Sequence, residues 1–175
     1  IERGDVVTYP GNYRSTKRLD VRFRQLSDGS QPLRHNAEVK LFIGATETLA
    51  RVRLLGKDAL LPGEEGWLQL ETNRPVTCIR GDHYILRRPS PPETIGGGEV
   101  IDAFPKGRHK RFSSEILLHL ETLYQGTPVD ILMQTINNLG AAPLKEVILR
   151  ANLESSRAEE ALKELINPGE IINLQ

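Results

Sequence analysis

One cysteine, one methionine, one tryptophan and no long apolar run: these scarcities exclude several classes of protein before any motif is read. A lone thiol, Cys78, can close no internal disulfide and furnish no thiolate metal cluster, which fits a reducing cytoplasmic setting. Its expected place is a buried strand. His35, His83, His109 and His119 lack the spacing of zinc ligands, so surface or strand positions are expected for them. No stretch approaches the length needed to cross a bilayer, and no secretory leader is visible, so neither a membrane span nor a membrane partner is expected. The glycine run Thr94-Ile95-Gly96-Gly97-Gly98 lacks the Lys and the Ser or Thr of a phosphate loop. It also leads into a strand instead of a helix, which suggests close backbone approach or a bulge. No nucleophile elbow surrounds Ser90 and no catalytic pair is evident, so the chain is not expected to be an enzyme by itself.

The formal net charge of zero over 175 residues hides an asymmetry. Residues 1–106 carry 16 Lys and Arg against 14 Asp and Glu, and Arg108, Lys110 and Arg111 add a basic junction. From Phe112 onward the count is 4 basic against 9 acidic. Any nucleic acid is therefore better served electrostatically by the first part and the junction than by the end of the chain.

The hydrophobic period changes along the chain. Leu19, Val21 and Phe23 alternate with Asp20, Arg22 and Arg24, the period-2 pattern of a half-buried strand. Val39, Leu41 and Ile43 repeat it, as do Ala50, Val52 and Leu54. Further short runs continue to Val100-Ile101, broken by Pro62-Gly63 and Arg80-Gly81-Asp82. This spacing without an intervening helix predicts a small six-stranded antiparallel β-barrel, whose closure removes exposed strand edges. After Pro105 the spacing turns helical. Ser113 can cap a helix with Ile116, Leu117, Leu120, Leu123 and Tyr124 on one face, and Gly126 suits its end. Thr127-Pro128 restarts a helix with Asp130 in its first turn, Pro143 opens a third over 144–151, and Ser156 with Glu159 predicts a capping box for a fourth. A terminal strand over 171–174 would complete a winged-helix-like module. The fold class is thus multi-domain, β then α. Residues 1–9 are expected to end a preceding domain, 10–105 to form the barrel, 106–112 a basic linker, and 113–175 the helical module.

Candidate contacts follow from charge and stiffness. Arg22, Arg24, Arg51 and Arg53 fall on the outward face of their strands, and Arg34 is another candidate. Arg87, Arg88 and Ser90 flank or occupy the proline-rich loop 88–93, a rigid shape suited to a phosphate backbone. Arg74 precedes Pro75, which holds it extended, so its guanidinium is expected to project from a stiff turn. Trp67 alternates against Leu68 and Leu70 and is expected outward, either as a contact or covered by a loop. The candidate recognition helix of the module, about residues 157–165, carries Glu159, Glu160 and Glu164 against Arg157 and Lys163. That balance opposes phosphate binding and favours a spacer or protein-contact role.

Arg3-Gly4-Asp5-Val6-Val7, the run 42–55, Leu61-Pro62-Gly63-Glu64, Arg74-Pro75-Val76, the run 80–87 and Ser90-Pro91-Pro92-Glu93-Thr94-Ile95-Gly96-Gly97-Gly98 occur in an order that resembles the third domain of elongation factor Tu-like GTPases. The form with Ser-Pro ahead of Thr-Ile-Gly-Gly-Gly is most similar to the bacterial selenocysteine-specific (SelB-type) factors. The motifs cover about residues 1–105, while the helical module matches only by position. The resemblance implies a barrel that helps hold selenocysteinyl-tRNA by its acceptor and T arm for delivery to the ribosome at recoded UGA codons. It also implies upstream domains holding GTP and magnesium, with no cofactor in this stretch, and downstream winged helices that bind an mRNA hairpin. By position it implies tRNA contacts at Arg74 and in the loop 88–93, whereas His83 stands where Arg often follows Gly-Asp. Two other readings remain at this point: an elongation factor Tu-like fragment that handles ordinary or initiator tRNA, and a winged-helix DNA-binding regulator.

Overall fold

The alternating runs close on themselves. A computed structural model describes residues 14–166, so the segment 1–9 and the strand expected over 171–174 lie outside the described residues. Eight strands come first: β1 (Ser15–Gln25), β2 (Leu33–Arg34), β3 (Glu38–Ile43), β4 (Thr46–Leu55), β5 (Ala59–Leu60), β6 (Glu65–Thr77), β7 (His83–Arg88) and β8 (Glu93–Asp102). Six of them form a closed antiparallel barrel in the order β1-β6-β4-β3-β7-β8, and β2 pairs with β5 in a separate two-stranded sheet. Leu68, Leu70 and Val76, in runs that the sequence separates, belong to the single long strand β6. The inward residues, among them Phe23, Leu41, Leu54, Leu68, Leu70 and Leu86, are fully buried in one core. That burial is the main force holding the barrel closed.

The glycine run lies in β8, where its lack of side chains lets neighbouring strands approach. A Cβ on Gly98 would stand 1.9 Å from the Arg22 carbonyl oxygen, and one on Gly97 2.5 Å from that of Tyr84. The run is therefore a strand that needs close backbone approach.

Four helices follow: α1 (Ser114–Gln125), α2 (Pro128–Leu139), α3 (Leu144–Ala151) and α4 (Ser155–Ile166). Contacts divide the chain into two compact units, Ile1–Leu120 and Glu121–Gln175. The Ser113 hydroxyl accepts from the Ile116 amide at 3.4 Å at the start of α1. At α2 the Thr127 hydroxyl and the Asp130 carboxylate form a capping box with Pro128 in the first turn. The box expected from Ser156 does not cap α4. That helix begins one residue earlier, which puts Ser156 inside its first turn. The second unit packs Ile131, Leu132, Val147, Ala161, Leu162 and Leu165 into its own core.

Candidate nucleic-acid interface

The outer face of β1, β6 and β4 organises the charged side chains. Cross-strand partners there fall in rows: Arg22 with Trp67 and Leu55; Asp20 with Gln69 and Arg53; Arg18 with Glu71 and Arg51. In the first row the Arg22 guanidinium stacks over the Trp67 ring at 4.7 Å and pairs with Glu65 at 3.0 Å. Trp67 faces outward as alternation requires, yet it is only 7% exposed. Arg24 reaches the same Glu65 at 3.6 Å. Arg22 and Arg24 thus share one carboxylate, which offsets part of their charge.

The second row is covered by residues 107–111, read in the sequence as a linker. Gln69 Nε2 donates to the Gly107 carbonyl at 3.0 Å, and the His109 amide donates to Gln69 Oε1 at 3.1 Å. His109 Nε2 meets the Asp20 carboxylate at 2.5 Å, and the Arg53 Nε donates to the His109 carbonyl at 2.7 Å. Arg111 continues the strap: its side chain bonds the Leu54 and Lys57 carbonyls and Asp58, and its carbonyl accepts from Gly56. Burial pushes the Asp20 carboxyl up, opposed by its hydrogen bond to His109 and that residue's charge. His109 is therefore not a plain surface histidine. It fastens the strap to the barrel.

The sequence candidates do not gather at one place. Arg74 lies in β6, not in a turn. The β1 partner shifts from Glu71 to Val76 while β1 advances only from Arg18 to Thr16, so residues 73–75 bulge from the ladder. Pro75 supplies no amide there, and exposed Arg74 donates to the Glu47 carbonyl at 3.0 Å. This site is at the barrel end that carries the β3–β4 hairpin. Arg34, Arg87, Arg88 and Ser90 stand toward the opposite end. Arg88 bonds the Gln31 carbonyl at 3.3 Å and pairs with Glu93 at 3.3 Å. Glu93 in turn accepts from the Ser30 amide and hydroxyl at 2.7 and 2.6 Å. Arg88 is thus a clamp on its own loop. Arg87 and Ser90 are exposed, with a cis peptide between Ser90 and Pro91. Arg34 lines a cleft of about 460 Å³ with Gln31, His35, Asn36 and Arg88.

What the sequence reading missed is the meeting of strap and β4. The Asn36 amide donates to the Val52 carbonyl, which brings His35 beside Arg53. Burial first, and then the neighbouring Arg111, Arg53 and Arg108, hold His35 below the usual imidazole range. Arg53 is likewise lowered by burial and then by Arg108 and Arg111. The basic junction Arg108-His109-Lys110-Arg111 was the one available signal. Cys78 is buried just past β6, its thiol pushed up to about 12 by burial, and is inert. Among the described residues no three His, Cys, Asp or Glu side chains cluster to hold a metal, and no helix is long and apolar enough to cross a membrane.

Residues 17–107 match the family model of the selenocysteine-specific elongation factor β-barrel domain. A selenocysteine-specific elongation factor from Desulfomicrobium baculatum is 33% identical over 165 residues, covering 93% of this chain. The chain spans about a quarter, 26%, of that relative's length.

Proposed function

The chain belongs to the selenocysteine-specific elongation factor family, and we propose that it is the part of such a factor that helps hold selenocysteinyl-tRNA by its acceptor and T arm. In this reading the parent factor is a cytoplasmic GTPase that delivers the tRNA to the ribosome at recoded UGA codons. GTP and magnesium are ligands of parts outside this chain, which itself hydrolyses nothing. The helical unit joins the GTPase core to winged helices that bind an mRNA hairpin.

The observation that carries the reading is the match of the whole barrel to the family's barrel domain. Its chemistry is consistent with that role. A-form RNA is gripped through phosphates and 2′-hydroxyls by groups held in place, and Arg forms two-pronged bonds to phosphate that Lys cannot copy. Arg74 is lifted from the ladder by a bulge and fixed on one side by the Glu47 carbonyl, which leaves guanidinium donors for a phosphate. A DNA-regulator role has little support, because α4 exposes Glu159, Glu160 and Glu164.

The test is selenocysteinyl-tRNA affinity of the parent factor with GTP across a salt series. Arg74→Ala is expected to weaken binding by about 1–2 kcal/mol and to reduce the salt slope by roughly one unit. Stability should stay within about 0.5 kcal/mol. Unchanged affinity and slope in Arg74→Glu would remove Arg74 from the interface.

A further inference from the structure

Like charges are crowded where the strap crosses β4. The bonds that seat residues 107–111 on the Asp20, Gln69 and Arg53 row also fix where the cations stand. Arg53 and Arg111 are each tethered through Nε to a backbone carbonyl. Arg108 and Lys110 are exposed on the strap and, among the described residues, have no carboxylate partner. Three acidic side chains share this face: Asp20, held by His109, Asp58, paired to Arg111 at 2.9 Å, and Glu71, already paired to Arg18 at 3.1 Å. Such crowding costs free energy in the free protein, and a polyanion relieves it.

Beside this patch stands Phe112, 60% exposed, with the Arg111 guanidinium over its ring at 4.8 Å. A large exposed aromatic with a cation already on one side offers its ring to an unstacked base. An acidic protein surface would use the cations and leave the ring idle, whereas RNA with an unpaired stretch uses both.

We propose that the strap and the outer face of β4 form an RNA-binding patch of their own, in which Arg53, Arg108 and Lys110 hold backbone phosphates and Phe112 stacks an unpaired nucleotide. The patch rests on the proposed function for its choice of RNA, and it places the contact on the strap instead of on the loop 88–93. Arg111 is a positioning residue here, since its donors are committed to the Leu54 and Lys57 carbonyls and Asp58.

The experiment uses the 175-residue chain and two probes, a blunt RNA hairpin and the same hairpin with a single-stranded 3′ tail, titrated over a salt series. Arg108→Glu with Lys110→Glu is expected to weaken both complexes about tenfold or more and to lower the salt slope by roughly two units, one per phosphate contact. Phe112→Ala is expected to weaken the tailed probe about fivefold or more and the blunt one less than about twofold. All three side chains are exposed, and thermal unfolding checks that the variants stay folded. Wild-type affinity and slope in the double glutamate variant would overturn the patch. So would failure of the unmodified chain to bind either probe, or equally tight binding of polyglutamate. The two proposals fail separately: loss of binding through Arg74→Glu with an indifferent strap refutes only the patch. Strap-dependent binding without preference of the parent factor for selenocysteinyl-tRNA over another tRNA refutes only the proposed function.

Discussion

Single side chains here act mainly through the backbone atoms they meet. Gly98 is the sharpest case, since a methyl group would stand 1.9 Å from the Arg22 carbonyl oxygen. Neither strand can yield without breaking the β1–β8 ladder, so Gly98→Ala is expected to destabilise the barrel by about 2 kcal/mol or more, measured by denaturant unfolding. Glu93 supports the loop 88–93 differently. Bonds from the Ser30 hydroxyl and amide, and then the Arg88 charge, hold its carboxyl below the usual range. A lowered folded value means stabilisation that is present above the unfolded value near 4.5 and lost as pH falls through the folded one. Glu93→Gln should therefore flatten the acid side of the stability profile, read as melting temperature against pH below about 5. An equally steep acid loss in the variant would count against this. Asp20 shows the limit of sequence reading at this scale. Alternation correctly put it on the outer face beside Arg22 and Arg24, yet it is 1% exposed, because a strap about ninety residues away in sequence covers it. Periodicity reports which face a residue takes and not what later covers that face.

Among the elements, the helices were the most legible because their ends are set by local chemistry. Ser113 marked the start of α1, Gly126 its end, and Thr127, Pro128 and Asp130 the start of α2, and the structure uses them there. Thr127→Ala removes the acceptor for the Asp130 amide and is expected to lower the stability of the helical unit by about 1 kcal/mol. Amide exchange should quicken in α2, and unchanged protection would contradict the assignment of Thr127 as its cap. The strands were legible in pattern but not in join. Nothing local tells that the chain runs straight from Leu70 to Val76 with a bulge, because the register depends on β1 and β4, which are distant in sequence. Hence Arg74 was expected in a turn. The strap escaped notice for the same reason: Gly107, His109 and Arg111 find their partners on Gln69, Asp20 and Leu54 only once the barrel has closed.

Over the whole molecule, charge separates the two units. Residues 121–175 carry 4 Lys and Arg against 8 Asp and Glu, while residues 1–120 carry 19 against 15. A net acidic surface has few condensed counterions to release from RNA, so removing residues 126–175 should change selenocysteinyl-tRNA affinity of the parent factor's core by less than about twofold at moderate salt. A large loss would make the helical unit part of the RNA site. Family membership was legible in the order of motifs from residue 42 to 98, since their spacing reflects the barrel's own turns and glycine contacts. The location of the proposed RNA face was not, because the candidate arginines are spread over opposite ends of the barrel and some are already held by carboxylates. The measurement that bears most directly on the central claim is photo-crosslinking of selenocysteinyl-tRNA to the parent factor with GTP, followed by identification of the crosslinked peptides. The barrel's role predicts crosslinks from the stretch 15–112, concentrated at the β6 bulge around Arg74 and along the strap. Crosslinks within this part of the factor that fall only in residues 121–175 would contradict it.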